Sequence, residues 1–183
     1  MAADGVRAGV IGPLDNQEFV IVTHSLGSYL IFSALDLPAS PPELLPAENW
    51  KLRFEKVLAQ TSSVYFLANQ LRLLELADLE VSPATNMLNN LESWGRLRRE
   101  YQSRLTAPSS NDLLPPQIIA WSDPSDLISW NVPDLNTVLV KNLTVKNATH
   151  WFWLIENPAA AHANYATNHR VITAMLKPSK PAQ

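Results

Sequence analysis

The chain has 183 residues, enough to bury the core of one domain without disulfides or a structural metal. It is 46% apolar and 17% charged with a formal net charge of -3, which argues against a disordered tail, a nucleic-acid-binding surface and a polybasic membrane patch. Cysteine is absent, which excludes a disulfide framework, a thiol nucleophile and a cysteine-ligated zinc. No signal peptide or transmembrane run opens the sequence, so we expect a cytoplasmic protein.

Strand and helix patterns alternate along the first half of the chain. Residues 18–23 form a continuous β-branched and aromatic run after a turn-like segment, which is typical of a strand buried on both faces of a parallel sheet. Residues 26–35 and 49–59 are predicted as helices on either side of a proline-rich connector. Residues 62–67 are predicted as a second strand.

The alternation continues in the second half. A helix is predicted to begin with Ser82 as N-cap and Pro83 at the first helical position. Its apolar residues recur every three or four positions, which predicts core packing for Leu88, Leu91, Trp94, Leu97, Tyr101 and Leu105. Strands at 117–121 and 137–145 and a helix at 168–176 follow. The pattern predicts a single α/β domain over residues 1–183, with a mostly parallel sheet and flanking helices.

Ser25 lies where the first predicted strand ends and the first helix begins. A sharp turn there lifts the serine hydroxyl clear of the sheet and points the first N–H groups of the helix at a developing oxyanion. Small neighbours let the backbones approach; Gly27 meets this requirement, whereas Thr23 stands where glycine is usual. The segment resembles the nucleophile elbow of the α/β hydrolases. The alternative is that Ser25 only caps an ordinary helix.

The resemblance implies an acid after a later strand and a histidine after the last one. Asp123 and Asp126 follow the strand at 117–121, in a loop at its carboxyl end, where open α/β sheets place their sites. Asp126 precedes a short apolar stretch, as the acid of lipase-like hydrolases does, and we favour it. Asp123 remains the alternative acid, although an aspartate before a proline commonly opens a turn.

The chain has four histidines, and one of them occupies the position of the catalytic base in this family. His162 lies in a predicted loop of small residues between the last strand and the last helix. His24 is adjacent to Ser25, where a packing or supporting role is expected rather than that of the base. His150 is expected to pack with neighbouring aromatic residues or to line a cleft, and His169 to lie on the exposed side of the last helix.

The resemblance therefore implies a serine hydrolase that cleaves a carboxylic ester or lipid through an acyl-enzyme. Asp126 would orient the imidazole, His162 would take the proton from Ser25, and the backbone N–H of Leu26 would be one oxyanion donor. An apolar substrate wall is expected from Trp130, Trp151 and Trp153. No metal or other cofactor is expected, because the five glycines form neither a phosphate-binding nor a dinucleotide-binding pattern.

The resemblance to lipase- and esterase-like α/β hydrolases covers residues 18–176 and lacks the strands that precede the elbow in that family. The strand at 18–23 would then be an exposed sheet edge, so we expect self-association or a partner chain that covers it. A second hypothesis is an inactive hydrolase fragment that acts as an interaction module. A thioesterase, an acyltransferase or a peptidase would use the same three residues, so the substrate stays open.

Overall fold

The structure is a computed structural model that describes residues 17–37, 50–71, 87–105, 115–147, 150–151 and 155–176. A parallel sheet lies at its centre, and its strands are consecutive both in sequence and in space. They are β1 Phe19–His24, β2 Thr61–Leu67, β3 Gln117–Ser122 and β4 Leu139–Thr144. Because all four run in the same direction, their carboxyl ends lie along one edge of the sheet. An antiparallel pair, β5 His150–Trp151 and β6 Ile155–Glu156, forms a separate small sheet.

Five α-helices accompany the sheet in the described residues: α1 Gly27–Ser33, α2 Trp50–Gln60, α3 Met87–Leu105, α4 Pro158–Ala163 and α5 His169–Leu176. The predicted α/β architecture, a parallel sheet with flanking helices, is confirmed. β4, predicted to begin at residue 137, begins two residues later, at Leu139. The predicted start of the long helix at Ser82 and Pro83 lies outside the described residues. No helix in the described ranges has the length and apolar character needed to cross a bilayer.

Two apolar layers cover the two faces of the sheet. One layer packs α1, α2 and α3 against the sheet, and the rings of Phe32, Phe66 and Trp94 meet at its centre with centroids about 6 Å apart. The other layer places Tyr165 and Val171 over the opposite face. Successive residues of β2 point alternately into the two layers, so this strand is buried on both faces. Full burial of one large apolar side chain contributes about 1.5–3 kcal/mol.

β1 is an edge strand in the described residues, since only β2 pairs with it. Ile21 packs against the layer under the helices, whereas Val20 and Val22 on the other face are 55% and 51% exposed. The prediction that β1 is buried on both faces is therefore wrong for these residues. The exposed edge that we expected at this strand is present.

α3 lies directly on the segment that enters β4. A Cβ added at Gly95 would lie 2.2 Å from Oγ1 and 2.8 Å from the backbone oxygen of Thr137. One turn earlier, the Glu92 carboxylate accepts the backbone N–H of Asn136 at 2.6 Å and that of Thr137 at 3.0 Å. Only glycine allows this close approach of helix and segment.

Candidate active site

Three side chains from distant parts of the chain meet at the carboxyl end of the sheet. Ser25 follows β1, Asp126 lies in the loop after β3, and His162 lies in α4, which replaces the predicted loop. Ser25 Oγ is 3.0 Å from His162 Nε2, and His162 Nδ1 is 3.0 and 3.1 Å from the two carboxylate oxygens of Asp126. The residues that the sequence pattern selected as nucleophile, base and acid are therefore in hydrogen-bonding reach of one another.

The backbone of Ser25 is left-handed, with φ at 54°. In the described residues only Ala68, after β2, shares a positive φ among non-glycine residues. This conformation costs about 1–2 kcal/mol for a residue with a Cβ. A backbone bond from Ser25 N–H to the Leu67 carbonyl, 2.8 Å long, holds the turn. Strain of this kind is typical of functional sites, where the surroundings hold a side chain in one position.

Ser25 does not cap α1, so the alternative hypothesis, in which this serine is only a helix cap, does not apply. The N-cap of α1 is Leu26, and it makes no side-chain cap bond. The amide of Leu26, the predicted oxyanion donor, therefore lies directly between the serine and the start of the helix. The Ser25 hydroxyl contacts the imidazole of His162 instead.

Thr23 and Gly27 flank the turn that carries Ser25. Thr23 is buried, and its hydroxyl donates to the backbone oxygen of Tyr65 at 3.3 Å. A Cβ added at Gly27 would lie 3.5 Å from the Cβ of Thr23, which is an ordinary van der Waals distance. A Cβ therefore has room at Gly27, and the threonine fits at the position where glycine is usual.

The Asp126 carboxylate is buried, at 4% exposure, and fully hydrogen-bonded. Besides His162, it accepts the Ile128 N–H at 3.3 Å and the Tyr165 hydroxyl at 3.2 Å. Burial raises the pKa of Tyr165 well above its ordinary value, and the charge of Asp126 raises it further. Tyr165 therefore keeps its proton and remains a donor to the carboxylate.

Asp123, the alternative acid, is equally buried and has a different set of partners. One oxygen accepts the Ser125 N–H at 2.8 Å and closes the turn that the aspartate–proline pair predicted. The other accepts the backbone N–H of Asn147, whose side chain donates to the Ala161 carbonyl at 3.1 Å. Asp123 therefore binds backbone amides and ties the acid loop to α4, whereas Asp126 is the carboxylate in contact with His162.

His24 supports the histidine from the strand that carries the serine. Its Nε2 lies 2.9 Å from the backbone oxygen of His162, and because a carbonyl only accepts, Nε2 carries the proton. The two imidazole rings contact each other edge to face at a centroid distance of 5.2 Å. His169 is exposed at the start of α5, as predicted. His150 lies in β5, and its side chain lies outside the description.

Large apolar side chains are exposed beside the triad. Leu26 follows the serine, and Leu127, Ile128 and Trp130 follow Asp126; all four are at least one-third exposed. Of the predicted substrate wall, Trp130 is described; Trp151 lies in β5 without a described side chain, and Trp153 lies outside the described residues.

Sequence reasoning missed two buried polar residues at this end of the sheet, Tyr165 and Asn69. Tyr165 follows His162 by three positions, a spacing that could have indicated a shared face. Asn69 had no signal of its own, since an asparagine after a strand is typical of any turn. In the described ranges no group of three or more histidine, cysteine or carboxylate side chains forms a metal site.

No protein-family model, curated protein or solved structure matches the chain.

Proposed function

We propose that the chain is a serine hydrolase of the α/β-hydrolase fold that cleaves carboxylic esters. One observation carries the proposal: Ser25 Oγ lies 3.0 Å from the Nε2 of a histidine whose other ring nitrogen contacts a buried carboxylate. A nucleophile, a base in hydrogen-bonding reach and an acid that orients the base are the three parts of nucleophilic acyl transfer.

The reaction begins with the proton on His162 Nδ1, from which the N–H donates a hydrogen bond to the Asp126 carboxylate. Nε2 is then free to take the proton of Ser25 while Oγ attacks the acyl carbon. The Leu26 N–H stabilises the oxyanion of the tetrahedral intermediate. His162 next donates the proton to the leaving alkoxide, and the acyl–Ser25 ester remains.

Water completes the cycle. His162 takes a proton from a water molecule while the water oxygen attacks the acyl carbon. His162 then returns that proton to Ser25 Oγ as the acid product leaves. Asp126 stays ionised throughout and stabilises the imidazolium that forms twice per turnover. Its burial strengthens this interaction, because few water molecules screen the charge.

The exposed apolar residues beside the triad favour an ester with an apolar group, such as a lipid ester. Leu26 directly follows the nucleophile and Trp130 lies in the loop after the acid, and both side chains are more than 40% exposed. Apolar surface in water is stabilised when an acyl chain covers it, at about 25 cal/mol per Å².

The exposed edge of the sheet favours a second candidate, an inactive hydrolase-like chain that acts as an interaction module. Val20 and Val22 expose about half of their surface, and within the described residues only β2 pairs with β1. A partner chain or a second copy that covers β1 would bury both valines.

A fluorophosphonate probe separates the two candidates. The purified full chain is treated with the probe, the labelled residue is identified by mass spectrometry, and folding is checked by a cooperative unfolding transition. We expect labelling at Ser25 that is lost in Ser25→Ala and His162→Ala. Ser33→Ala, which changes a partly buried serine that donates to the Leu30 carbonyl, is the matched control and should be labelled normally. A folded chain that the probe does not label would overturn the hydrolase proposal and favour the interaction module.

A further inference from the structure

Asn69 lies at the carboxyl end of β2, between the strand that precedes the nucleophile and the strand that precedes the acid. Ala68, with φ at 54°, turns the chain there, and its N–H donates to the Trp121 carbonyl at 3.2 Å. Asn69 itself is 1% exposed. A buried amide needs partners, because an unsatisfied one costs about 1–3 kcal/mol. The identity of those partners therefore indicates what the residue does.

One end of the Asn69 amide faces the nucleophile turn. Its Oδ1 accepts the backbone N–H of Leu71 at 3.1 Å and lies 3.2 Å from the hydroxyl of Ser28. The same hydroxyl lies 3.1 Å from the backbone oxygen of Ser25. Ser28 is buried and has one proton, which the Ser25 carbonyl and Asn69 Oδ1 share in a three-centre hydrogen bond, and this shared proton links the nucleophile turn to Asn69.

The other end of the residue faces the acid loop. Nδ2 donates to the Trp130 carbonyl at 3.0 Å, and the Asn69 carbonyl accepts the Trp130 N–H at 2.8 Å. Trp130 is thus held at both of its backbone polar groups. The segment between Asp126 and Trp130 is short and begins with a turn, in which Ser129 N–H donates to the Asp126 carbonyl at 3.2 Å. A displacement of Trp130 is therefore transmitted to Asp126.

We infer that Asn69 is a positioning residue that sets the separation between the nucleophile turn and the acid loop. It does not touch the reacting atoms; it joins the backbone of Ser25, through Ser28, to the backbone of the loop that carries Asp126. The inference rests on the proposed hydrolase function. A misplacement of about 1 Å between reacting groups can cost about 100-fold in rate, so the loss of these hydrogen bonds should lower the rate of the folded protein in addition to its stability.

A matched control distinguishes positioning from simple loop anchoring. Asn142 in β4 also binds the backbone of this loop through a side-chain amide. Its Oδ1 accepts the Val132 N–H at 2.9 Å, and its Nδ2 donates to the Val132 carbonyl at 2.8 Å. Its two bonds anchor the loop two residues beyond Trp130 and do not run to the nucleophile turn. Asn142→Leu therefore shows how far the labelling rate falls when the loop loses an anchor that has no contact with the nucleophile turn.

The test compares Asn69→Leu and Asn142→Leu in the full chain, with rates corrected to equal folded fractions. We expect the fluorophosphonate labelling rate to fall about 10- to 100-fold in Asn69→Leu and less than about threefold in Asn142→Leu. If Asn69→Leu does not fold, Asn69→Asp replaces it, because it keeps the acceptor for Leu71 and removes the donor to Trp130. A labelling rate within about threefold of wild type in the folded variant would overturn the inference.

A second readout does not need turnover. The NMR resonance of the proton on His162 Nδ1 reports its hydrogen bond to Asp126, and we expect it to shift or broaden in the Asn69 variant and to stay unchanged in Asn142→Leu. If the wild-type chain is not labelled, the proposed function fails, and this resonance alone decides the role of Asn69. An unchanged resonance in a folded Asn69 variant would then overturn the positioning role.

Discussion

The apolar layer beneath helices α1 to α3 and the carboxyl end of the sheet are both buried, but their residues differ in kind. The layer is centred on Phe32, Phe66 and Trp94, which lose all contact with water and pack through their rings, and the Trp94 indole also donates to the Leu58 carbonyl at 3.0 Å. The carboxyl end buries Asn69 and Asp126, and each is held by several hydrogen bonds. Packing tolerates changes that conserve volume, whereas hydrogen bonds depend on the identity of single atoms. Changes in the first region should therefore lower stability, whereas changes in the second should lower activity where they disturb the contacts between Ser25, Asp126 and His162.

The largest effect is expected from Asp126→Asn. The amide cannot stabilise an imidazolium and favours the wrong tautomer of His162, so ester turnover should fall about 10⁴-fold while the free energy of unfolding changes little. Asp123→Asn is the matched change in the same loop. It should lower the free energy of unfolding by about 1–3 kcal/mol, because one of its two backbone amide partners, on Ser125 or Asn147, loses its acceptor.

Turnover of the folded Asp123→Asn protein should stay within about tenfold of wild type, since this carboxylate does not contact the imidazole. Both quantities come from steady-state kinetics and denaturant titration of the same preparations. If Asp123→Asn lost turnover as severely as Asp126→Asn at unchanged stability, the acid would be Asp123.

The next largest effect is expected from Gly95→Ala. The new Cβ would lie 2.2 Å from Thr137 Oγ1, so α3 or the segment before β4 must move, at a cost of about 1–3 kcal/mol in unfolding free energy. Gly27→Ala is the control, because its Cβ meets only the Cβ of Thr23, at 3.5 Å. It should be within about 0.5 kcal/mol of wild type. An equal loss in both variants would show that the nucleophile turn does require a glycine.

A smaller effect separates two variants of the nucleophile that are both inactive. Ser25→Ala keeps a Cβ on a left-handed backbone, whereas Ser25→Gly relieves the strain. We expect the glycine variant to be more stable than the alanine variant by about 0.5–1 kcal/mol, which is the strain relieved less the added freedom of glycine in the unfolded chain. Chemical denaturation measures this difference, and a less stable glycine variant would contradict a strained turn.

The smallest effect is the pH dependence of the contact between α3 and β4. Partial burial raises the pKa of Glu92, but hydrogen bonds from Thr137 and Asn136 outweigh it and lower that pKa below the ordinary 4.5. A lowered folded-state pKa contributes stability above the unfolded-state value, and this contribution is lost as the pH falls through the folded-state pKa. Thermal unfolding between about pH 6 and pH 3 should therefore show a slightly steeper loss in wild type than in Glu92→Gln. An equal pH dependence of thermal unfolding in the two proteins would contradict the lowered pKa of Glu92.

The order of the four parallel strands and the residues that meet at the candidate site could be predicted from the sequence, because strand and helix periodicities are local. The short pair β5 and β6 and helix α4 were not predicted. The buried face of α3 was predicted less well. Leu91 and Trp94 are buried, but Leu105 is 56% exposed and Arg98 is buried instead. Periodicity counts apolar residues and does not register that Glu18, 80 positions away, pairs with Arg98 at 2.6 Å.

The left-handed backbone of Ser25 and the role of Asn69 could not be predicted. Serine has no special preference for positive φ, so the turn is imposed by the strand and helix on either side of it. The Asn69 side chain is explained by Trp130, which lies 61 positions further along the chain. Both features depend on tertiary contacts, which a single sequence does not display.

The distance along the chain between the triad residues has a consequence for folding. Ser25 and His162 are 137 positions apart, and the sheet between them is entirely parallel in the part described here. Contacts of this range form late and slowly, because the entropy of a long loop is lost before the contact forms. In a nascent or partly folded chain Ser25 therefore lacks its contact with His162. Under the proposed function, fluorophosphonate labelling of Ser25 would report that the first and last described segments have met.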